Sequence, residues 1–444
     1  MGDLDRKGVC ELHRAELEVF TRERPRTGEL LARGTRSMPN GVPMAWMATD
    51  YELPVYVRSG RGARFVDADG HEYVDTNIAD IAAFCGHSPP PVVEAVRKQV
   101  QLGTQFLLPT EDAIVVAEEL ARRYELPKWQ FTLAASTANV EAIRVARAAT
   151  GRDRVLLFDG HYHGHFDEAT VTLDSGRPEP FGRGMPAATT SKVQIVAFND
   201  ADAVQAALAR GDIACVLTEP ALTNNLGLQL PASGFHAELR EACSATGTVL
   251  IVDETHTHVV GVRGCTGLWG LRPDIVTIGK AIAGGLPMGA YGLTDELASH
   301  LDVSRGMPVA TGGTLFGNPL SMAAARAALT EVLTPDAYGN ATAQGKRLAD
   351  GLEEAVRGAG LPWTVHRFGP RSGVTFAPAM PRNATEARAS WDRELILLSR
   401  VWLANRGVWE ALPGAGPTMC VAAEPQDVDR YVQAYGDLLS AVTG

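Results

Sequence analysis

The chain has 444 residues, a formal charge of −11 at pH 7 and an isoelectric point near 5.5. This length indicates two or three domains, since one domain usually holds roughly 100–200 residues. Hydrophobic residues make up 45% of the chain and charged residues 21%, which is usual for a globular protein with a sizeable core. The acidic balance argues against nucleic-acid and anionic-membrane partners, because both are bound through basic patches.

The first 75 residues predict a helix followed by a small antiparallel sheet. Apolar residues recur at helical spacing, and a segment rich in Pro and Gly then interrupts them. The dipeptide Asp69-Gly70 is a strong hairpin signal between two short apolar runs. The predicted elements are a helix over 11–32, a break at 38–43, and strands over 55–57, 64–67 and 73–75.

From residue 89 to 300, helical segments alternate with short, continuously apolar runs. Such runs are typical of strands that are buried on both faces, and they favour an α/β fold with a mostly parallel sheet flanked by helices. The predicted helices here are 89–101 and 111–123, and the predicted strands are 155–158, 213–217, 249–252 and 275–278. A further helix, 320–332, is predicted after this region. The predicted domains are 1–75, part of a small domain; 76–325, the large domain; and 326–444, the α+β remainder of the small domain.

Six scattered cysteines show no paired spacing, which predicts reduced and mostly buried thiols in a cytoplasmic protein. The first twenty residues contain no apolar core of a secretory signal. The longest stretch without charge, 306–325, is interrupted by Gly and Pro and does not predict a membrane span. These features predict a cytoplasmic enzyme.

Polar residues follow four of the predicted strands, where ligands bind in open α/β sheets. They are Glu219, Asp253-Glu254, Gly279-Lys280 and the segment Gly160–Gly164. Lys280 lies between an apolar strand and a stretch of small residues, a setting that would desolvate its amine for Schiff-base chemistry. The structural alternative is a lysine that extends to solvent from a strand end.

Asp253 precedes Lys280 by one strand–helix–strand unit, so both side chains are expected in one site. An Asp opposite a pyridinium nitrogen is the recognised partner of pyridoxal phosphate. Taken alone, Asp253 would better suit a helix N-cap or a turn. A different class of site is a metal centre built from His161, His163, His165 and the polar residues at 253–258. Gly160 and Gly164 indicate a turn in this segment and argue against it.

Several segments resemble the signature segments of class III aminotransferases, which are pyridoxal-phosphate enzymes of fold type I. The segments are Phe131–Asn139, Ala146–Arg152, Gly160–Gly164, Asp253-Glu254, Pro273–Lys280 and Gly312–Leu320. The similarity extends over about residues 35–440. It implies a large domain with a mostly parallel sheet, and a smaller α+β domain built from both termini.

The resemblance also implies roles for individual residues. Lys280 matches the Schiff-base lysine, Asp253 the partner of the ring nitrogen and Tyr162 the aromatic residue that stacks on the ring. Thr314 matches a threonine that reaches the phosphate of the neighbouring subunit, which implies a homodimer with shared active sites. Glu219 and Asn225 match polar residues that line the site.

The chain departs from the family pattern at the phosphate turn and beneath the ring. Ala134-Ala135-Ser136 stands where Ser-Gly-Thr is usual, so backbone N–H groups at the start of a predicted helix 139–149 and the Ser136 hydroxyl would bind the phosphate. Ala135 must then keep a negative φ or accept strain. Thr255 takes the place of the apolar residue under the ring.

The resemblance leaves the substrate open. Trp46 stands near the position of a carboxylate-binding arginine in related β-amino-acid aminotransferases, and it fits either an aromatic wall of the site or interface packing. Near residues 412–414, where a second arginine is usual, the chain has none, which leaves Arg371 and Arg406 as candidates. We expect an aminotransferase that moves an amino group from an amino donor to a keto acceptor through Lys280. An aminomutase of the glutamate-1-semialdehyde type and a racemase are the alternatives.

Overall fold

The computed structural model describes residues 4, 6–48, 54–174, 176–223, 226–410 and 416–443. The chain divides into two compact units, one comprising 1–89, 339–380 and 390–444, the other 90–338 and 381–389. We call them the terminal unit and the central unit. The domain limits predicted at 75 and 325 fall before these divisions and stay predictions.

Both units contain α-helices. In chain order they are α1 Arg6–Arg22, α2 Pro25–Gly34, α3 Pro90–Leu102, α4 Glu111–Tyr124, α5 Ala135–Thr150, α6 Ala201–Leu208, α7 Phe235–Thr246, α8 Gly264–Leu268, α9 Asp295–Ala298, α10 Pro319–Ala327, α11 Pro335–Gly358, α12 Ala384–Ala389, α13 Arg393–Asn405 and α14 Pro425–Thr443. No helix among the described residues combines the length and the apolar character that crossing a membrane requires.

The strands follow the same order. They are β1 Val57–Arg61, β2 Arg64–Asp67, β3 Glu72–Asp75, β4 Lys128–Thr132, β5 Arg154–Phe158, β6 Val171–Asp174, β7 Arg177–Pro180, β8 Val193–Val196, β9 Ile213–Thr218, β10 Val249–Asp253, β11 Ile275–Gly279, β12 Gly289–Leu293, β13 Thr364–Phe368, β14 Arg371–Thr375 and β15 Val408–Trp409.

The central unit is built on a seven-stranded sheet in the order β4-β12-β11-β10-β9-β5-β8. Neighbouring strands from β11 to β8 run parallel, and β12 is antiparallel to both of its neighbours. Apolar side chains of strands and helices form core clusters on this sheet, around residues such as Leu157, Ile251 and Ala142 in one cluster and Leu156 and Phe235 in another. The α/β fold with a mostly parallel sheet is thus confirmed.

The terminal unit joins segments from both ends of the chain in one sheet, β1-β2-β3-β15. The predicted hairpin is present, with β2 antiparallel to β3 and Gly70 in the left-handed region at φ +96°. The prediction of one helix over 11–32 is wrong. Pro25 has no N–H to donate and occupies the first turn of α2, so the segment forms two helices.

Candidate active site

Asp253 is the last residue of β10 and is almost fully buried, at 2% exposure. Its Oδ2 accepts hydrogen bonds from Asn139 Nδ2 and His163 Nδ1, both at 2.9 Å, and its Oδ1 accepts from the Thr255 N–H at 3.0 Å. Burial by itself would raise the pKa of Asp253. The hydrogen bond and charge of His163, together with the bonds from Thr255 and Asn139, outweigh burial and lower the pKa to about 2. Asp253 is therefore a carboxylate at neutral pH.

Asn139 connects this carboxylate to its surroundings. Its Nδ2 also donates to the His163 carbonyl at 2.9 Å, and its Oδ1 accepts from the Thr277 hydroxyl at 2.6 Å. Thr277 lies opposite Asp253 in the parallel pairing of β10 with β11. The Asn139 and His163 side chains thus fix the orientation of Asp253. The sequence motifs contain both residues, but no local pattern showed that their side chains meet at Asp253.

Lys280 follows β11 directly and begins a 3-10 helix, Lys280–Ala283. Its φ of +58° lies in the left-handed region, which residues other than glycine adopt uncommonly. Its amine contacts Nε2 of His256, a buried residue of the loop after β10. Asp253 thus ends β10, and Lys280 directly follows β11, the parallel neighbour of β10, as the spacing predicted.

The segment 134–139 forms the start of α5. The helix begins at Ala135, so the predicted start at Asn139 is wrong: the Thr137 hydroxyl accepts from the Ala134 N–H at 3.3 Å and closes the first turn earlier. Ala135 does not adopt a positive φ, so the missing glycine causes no backbone strain there. Ser136 also lies in the first turn, where N–H groups have no partner within the helix and favour anions.

Glycines make room for this turn. A Cβ at Gly164, whose φ is +98°, would lie 1.9 Å from Ser136 Oγ, and a Cβ at Gly279 would lie 3.0 Å from the Ala135 nitrogen. The segment Gly160–Gly164 is a turn, as predicted, with both glycines at positive φ.

The remaining described residues of the predicted cofactor site are Tyr162, Thr255, Glu219 and Thr314. The Tyr162 ring is stacked near His256, with 6.1 Å between centroids, and Thr255 is buried beside Asp253. Glu219 is buried after β9, and its Oε2 accepts from Thr223 Oγ1 at 2.7 Å. Thr314 is exposed in the single chain, and its carbonyl accepts from Gln105 Nε2 at 2.6 Å.

Trp46 and Arg406, two candidates for substrate binding, are not among these contacts. Trp46 lies in the terminal unit, where it lines a cavity of about 530 Å³ with Phe65 and Trp409. Arg406 is paired with Glu16 at 3.1 Å and stacks on Trp402 at 3.3 Å, so its guanidinium is already engaged. Asn225 and the loop at 412–414 lie outside the described residues.

The histidines near the site have different partners from those of a metal centre. His161 Nδ1 bonds the Phe158 carbonyl at 2.7 Å, and burial followed by the charge of His163 lowers the pKa of His161 to about 4. His163 instead bonds Asp253. Within the described ranges, no three His, Cys, Asp or Glu side chains form a group that could hold a metal ion. The six cysteines are free thiols, and all but Cys10 are buried.

These residues fit pyridoxal phosphate. A helix N-terminus with a serine hydroxyl suits a phosphate, an ionised Asp suits a protonated pyridine nitrogen, and a lysine amine suits an aldehyde. All of these groups belong to the central unit. The fold and the site thus define a fold type I pyridoxal-phosphate enzyme.

Comparison with known proteins identifies the family. Residues 46–399 match the family model "Aminotransferase class-III". The chain is 36% identical over 374 residues to a glutamate-1-semialdehyde 2,1-aminomutase of Bordetella avium, covering 82% of this chain and 87% of that protein. The chain therefore belongs to the class III aminotransferase family, and pyridoxal phosphate is its cofactor.

Solved structures support the same family assignment. A glutamate-1-semialdehyde aminomutase from Pseudomonas aeruginosa shares 37% identity and a TM-score of 0.94, over 99% of both chains. A lysine-to-alanine variant of that protein was solved in complex with PMP. An omega-transaminase from Sphaerobacter thermophilus shares 33% identity and a TM-score of 0.87, over 94% of this chain and 98% of that one.

Proposed function

We propose that this chain is an aminomutase of the glutamate-1-semialdehyde type, which exchanges the positions of an amino and a carbonyl group within one substrate. The observation that carries the proposal is its similarity, over 82–99% of its length, to proteins of that name. The expectation of a general aminotransferase has coarser support, because the family contains both activities and the aminomutases are among its most similar members.

In this proposal the ring of the cofactor, when bound, draws electrons from the substrate carbon that loses a proton. The ionised Asp253, held by His163 and Asn139, keeps a proton on the ring nitrogen. Lys280 would hold the cofactor through its amine and, once freed by substrate, its amine would take up and return the proton of the reacting substrate carbon. Ser136 and the N–H groups of the first turn of α5 bind the phosphate.

The experiment supplies one substrate and no second one. Purified enzyme is incubated with glutamate-1-semialdehyde alone, and the mixture is analysed by chromatography with mass detection. We expect an isomer of unchanged mass to accumulate without any added donor or acceptor, and the Lys280→Ala variant to form none. An inert single substrate, together with turnover when an amino donor and a keto acceptor are both present, would contradict the aminomutase.

An aminotransferase is the second candidate. It is favoured by the similarity to the Sphaerobacter omega-transaminase and, at 27% identity, to a beta-phenylalanine aminotransferase from Variovorax paradoxus. The keto product would then leave the site, and a separate acceptor would be needed for the second half of the cycle. A screen of donor and acceptor pairs, followed through the cofactor absorbance, tests this candidate.

We also propose that the working unit is a homodimer with composite sites. The segment around Thr314 is exposed in the single chain and is joined to the segment 105–108 by the bond from Gln105. This region exposes large apolar side chains, including Leu107 at 71% and Leu315 at 51%. Exposed apolar surface of this kind is typical of a protein interface.

Mixed subunits test the composite site. Lys280→Ala chains are combined with Thr314→Ala chains, and the heterodimer is isolated by two affinity tags. If Thr314 serves the partner's site, one site carries both changes and the other carries none, so we expect about one intact cofactor site per heterodimer. If Thr314 serves its own chain, each site carries one change, and no site of wild-type affinity will be found.

A further inference from the structure

Three buried or half-buried side chains of the central unit form a chain of contacts that ends at Lys280. The Lys280 amine contacts His256 Nε2, and His256 Nδ1 lies 3.3 Å from Glu219 Oε2. The His256 and Glu219 side chains are 3% and 1% exposed. These contacts connect an amine, an imidazole and a carboxylate in the order of nucleophile, base and orienting group.

The contacts determine which nitrogen of His256 carries the proton. A carboxylate oxygen only accepts hydrogen bonds, so the bond to Glu219 requires the proton on Nδ1. Nε2 then carries a lone pair, and it faces the amine of Lys280. Thr223 donates to the same Glu219 oxygen at 2.7 Å and holds the carboxylate in place. The Tyr162 ring, stacked at 29° to the imidazole, restricts His256 on another side.

We propose that His256, oriented by Glu219, is the group that takes the proton from the Lys280 ammonium before the amine reacts with a carbonyl. In this step the Nζ–H bond breaks and an Nε2–H bond forms, while the electron pair of the broken bond stays on Nζ. The positive charge moves from the ammonium to the imidazolium, beside the Glu219 carboxylate. The reverse step returns the proton, so no other reactant is consumed.

The charged and titratable groups that face this relay come from several elements. Glu219 follows β9, Lys280 follows β11, and Tyr162 lies in the turn after β5. His258 belongs to the same loop as His256; burial, followed by the charges of Lys280 and His256, lowers the pKa of His258 to about 3. His258 is therefore neutral when His256 receives the proton, and it adds no competing charge at neutral pH.

The first test uses the apoenzyme and needs no turnover. Lysines are acetylated with a limiting amount of acetic anhydride at pH 7, and peptide mass spectrometry gives the labelling of Lys280 relative to Lys346. Lys346 is a suitable internal standard because its side chain is 72% exposed. We expect the ratio to fall about 10²-fold in His256→Gln, the lower range of what a positioned base contributes. Glutamine keeps a hydrogen-bonding side chain there but cannot carry the proton.

The second test measures attachment of the cofactor. Pyridoxal phosphate is added to apoenzyme, and the rate of bond formation to Lys280 is followed by stopped-flow absorbance. We expect His256→Gln and His256→Ala to attach the cofactor about 10²-fold more slowly than the wild type. Added imidazole should restore much of the rate in His256→Ala, which a merely structural role of the side chain would not allow.

His236→Gln is the matched control. His236 is a partly buried histidine of α7 whose Nε2 bonds the Pro220 carbonyl at 2.7 Å and, among the described residues, forms no hydrogen bond with Glu219, His256 or Lys280. Its variant should label and attach like the wild type. If His256→Gln does not fold, the Glu219→Gln variant tests the relay instead. Its side chain keeps an acceptor for Nδ1 of His256 but cannot stabilise the imidazolium. We therefore expect slower attachment of the cofactor in this variant too.

The inference rests on cofactor attachment at Lys280, and the two can fail separately. Wild-type protein that does not attach the cofactor at Lys280 would refute the role proposed for that lysine. Wild-type attachment at Lys280, with equal rates in folded His256→Gln or Glu219→Gln, would overturn the relay alone.

Discussion

Replacing Asp253 by asparagine removes one charge from the centre of the site and changes little volume. In the wild type, Oδ2 accepts from two donors, Asn139 Nδ2 and His163 Nδ1, and Oδ1 accepts from a third, the Thr255 N–H. Asparagine has one accepting oxygen and one donating amide group. The donating amide group of asparagine must therefore face another hydrogen-bond donor of the site. The ring nitrogen of the cofactor also loses its carboxylate partner.

The lowered pKa of Asp253 gives the magnitude of the expected loss in the free energy of unfolding. Its ordinary value of 3.8 is lowered to about 2 in the folded protein, so these contacts favour the carboxylate by about 2 kcal/mol. Because the folded pKa is the lower one, this stabilisation is present above pH 4 and is lost as the pH falls towards 2. At pH 7 we expect Asp253→Asn to lower the free energy of unfolding by about 2 kcal/mol and turnover by at least about 10³-fold, because the electron-withdrawing ring is no longer protonated.

The assay combines urea unfolding of the apoenzyme at pH 7 with turnover of the cofactor-loaded protein. Circular dichroism at low temperature should show a folded variant, and its cofactor should still be reducible onto Lys280 with borohydride. Asp253→Glu serves as a control that retains the charge. Turnover of Asp253→Asn within about threefold of wild type would refute the role assigned to the carboxylate.

The remaining predictions concern the phosphate turn, the ring and the exposed apolar surface. Gly164→Ala should weaken cofactor binding at least about tenfold in equilibrium titration, because the new Cβ would lie 1.9 Å from Ser136 Oγ at a φ of +98°; unchanged affinity would contradict the proposed turn. Tyr162→Leu should cost about 1 kcal/mol of cofactor affinity through lost stacking, whereas Tyr162→Phe should retain it. Leu107→Glu should convert the proposed dimer to a monomer in light scattering, because Leu107 is 71% exposed in the single chain; a dimer of wild-type strength would place the interface elsewhere.

The sequence predicted the four strands whose apolar runs are continuous, since their burial in the sheet depends on their own composition. It did not predict β12, whose residues Gly289–Leu293 include two glycines. A Cβ at Gly289 would lie 2.4 Å from the Ala134 carbonyl oxygen, and a Cβ at Gly292 would lie 2.5 Å from the Trp129 ring. These glycines are required by neighbours that are distant in sequence, so no local pattern indicates the strand.

The residues of the site also differ in whether the local sequence was enough to predict their positions. Asp253 and Lys280 could be paired in advance because each ends a strand and the strands are neighbours, so chain order alone brings them together. His256 could be noticed only as one of several polar residues after Asp253. The proposed role of His256 depends on Glu219, which lies 37 residues earlier in the chain. The Glu219 carboxylate accepts a hydrogen bond from one imidazole nitrogen and so determines which nitrogen faces Lys280. A substitution at position 219 should therefore change how readily Lys280 reacts without touching Lys280 itself, and this dependence is visible only in the folded chain.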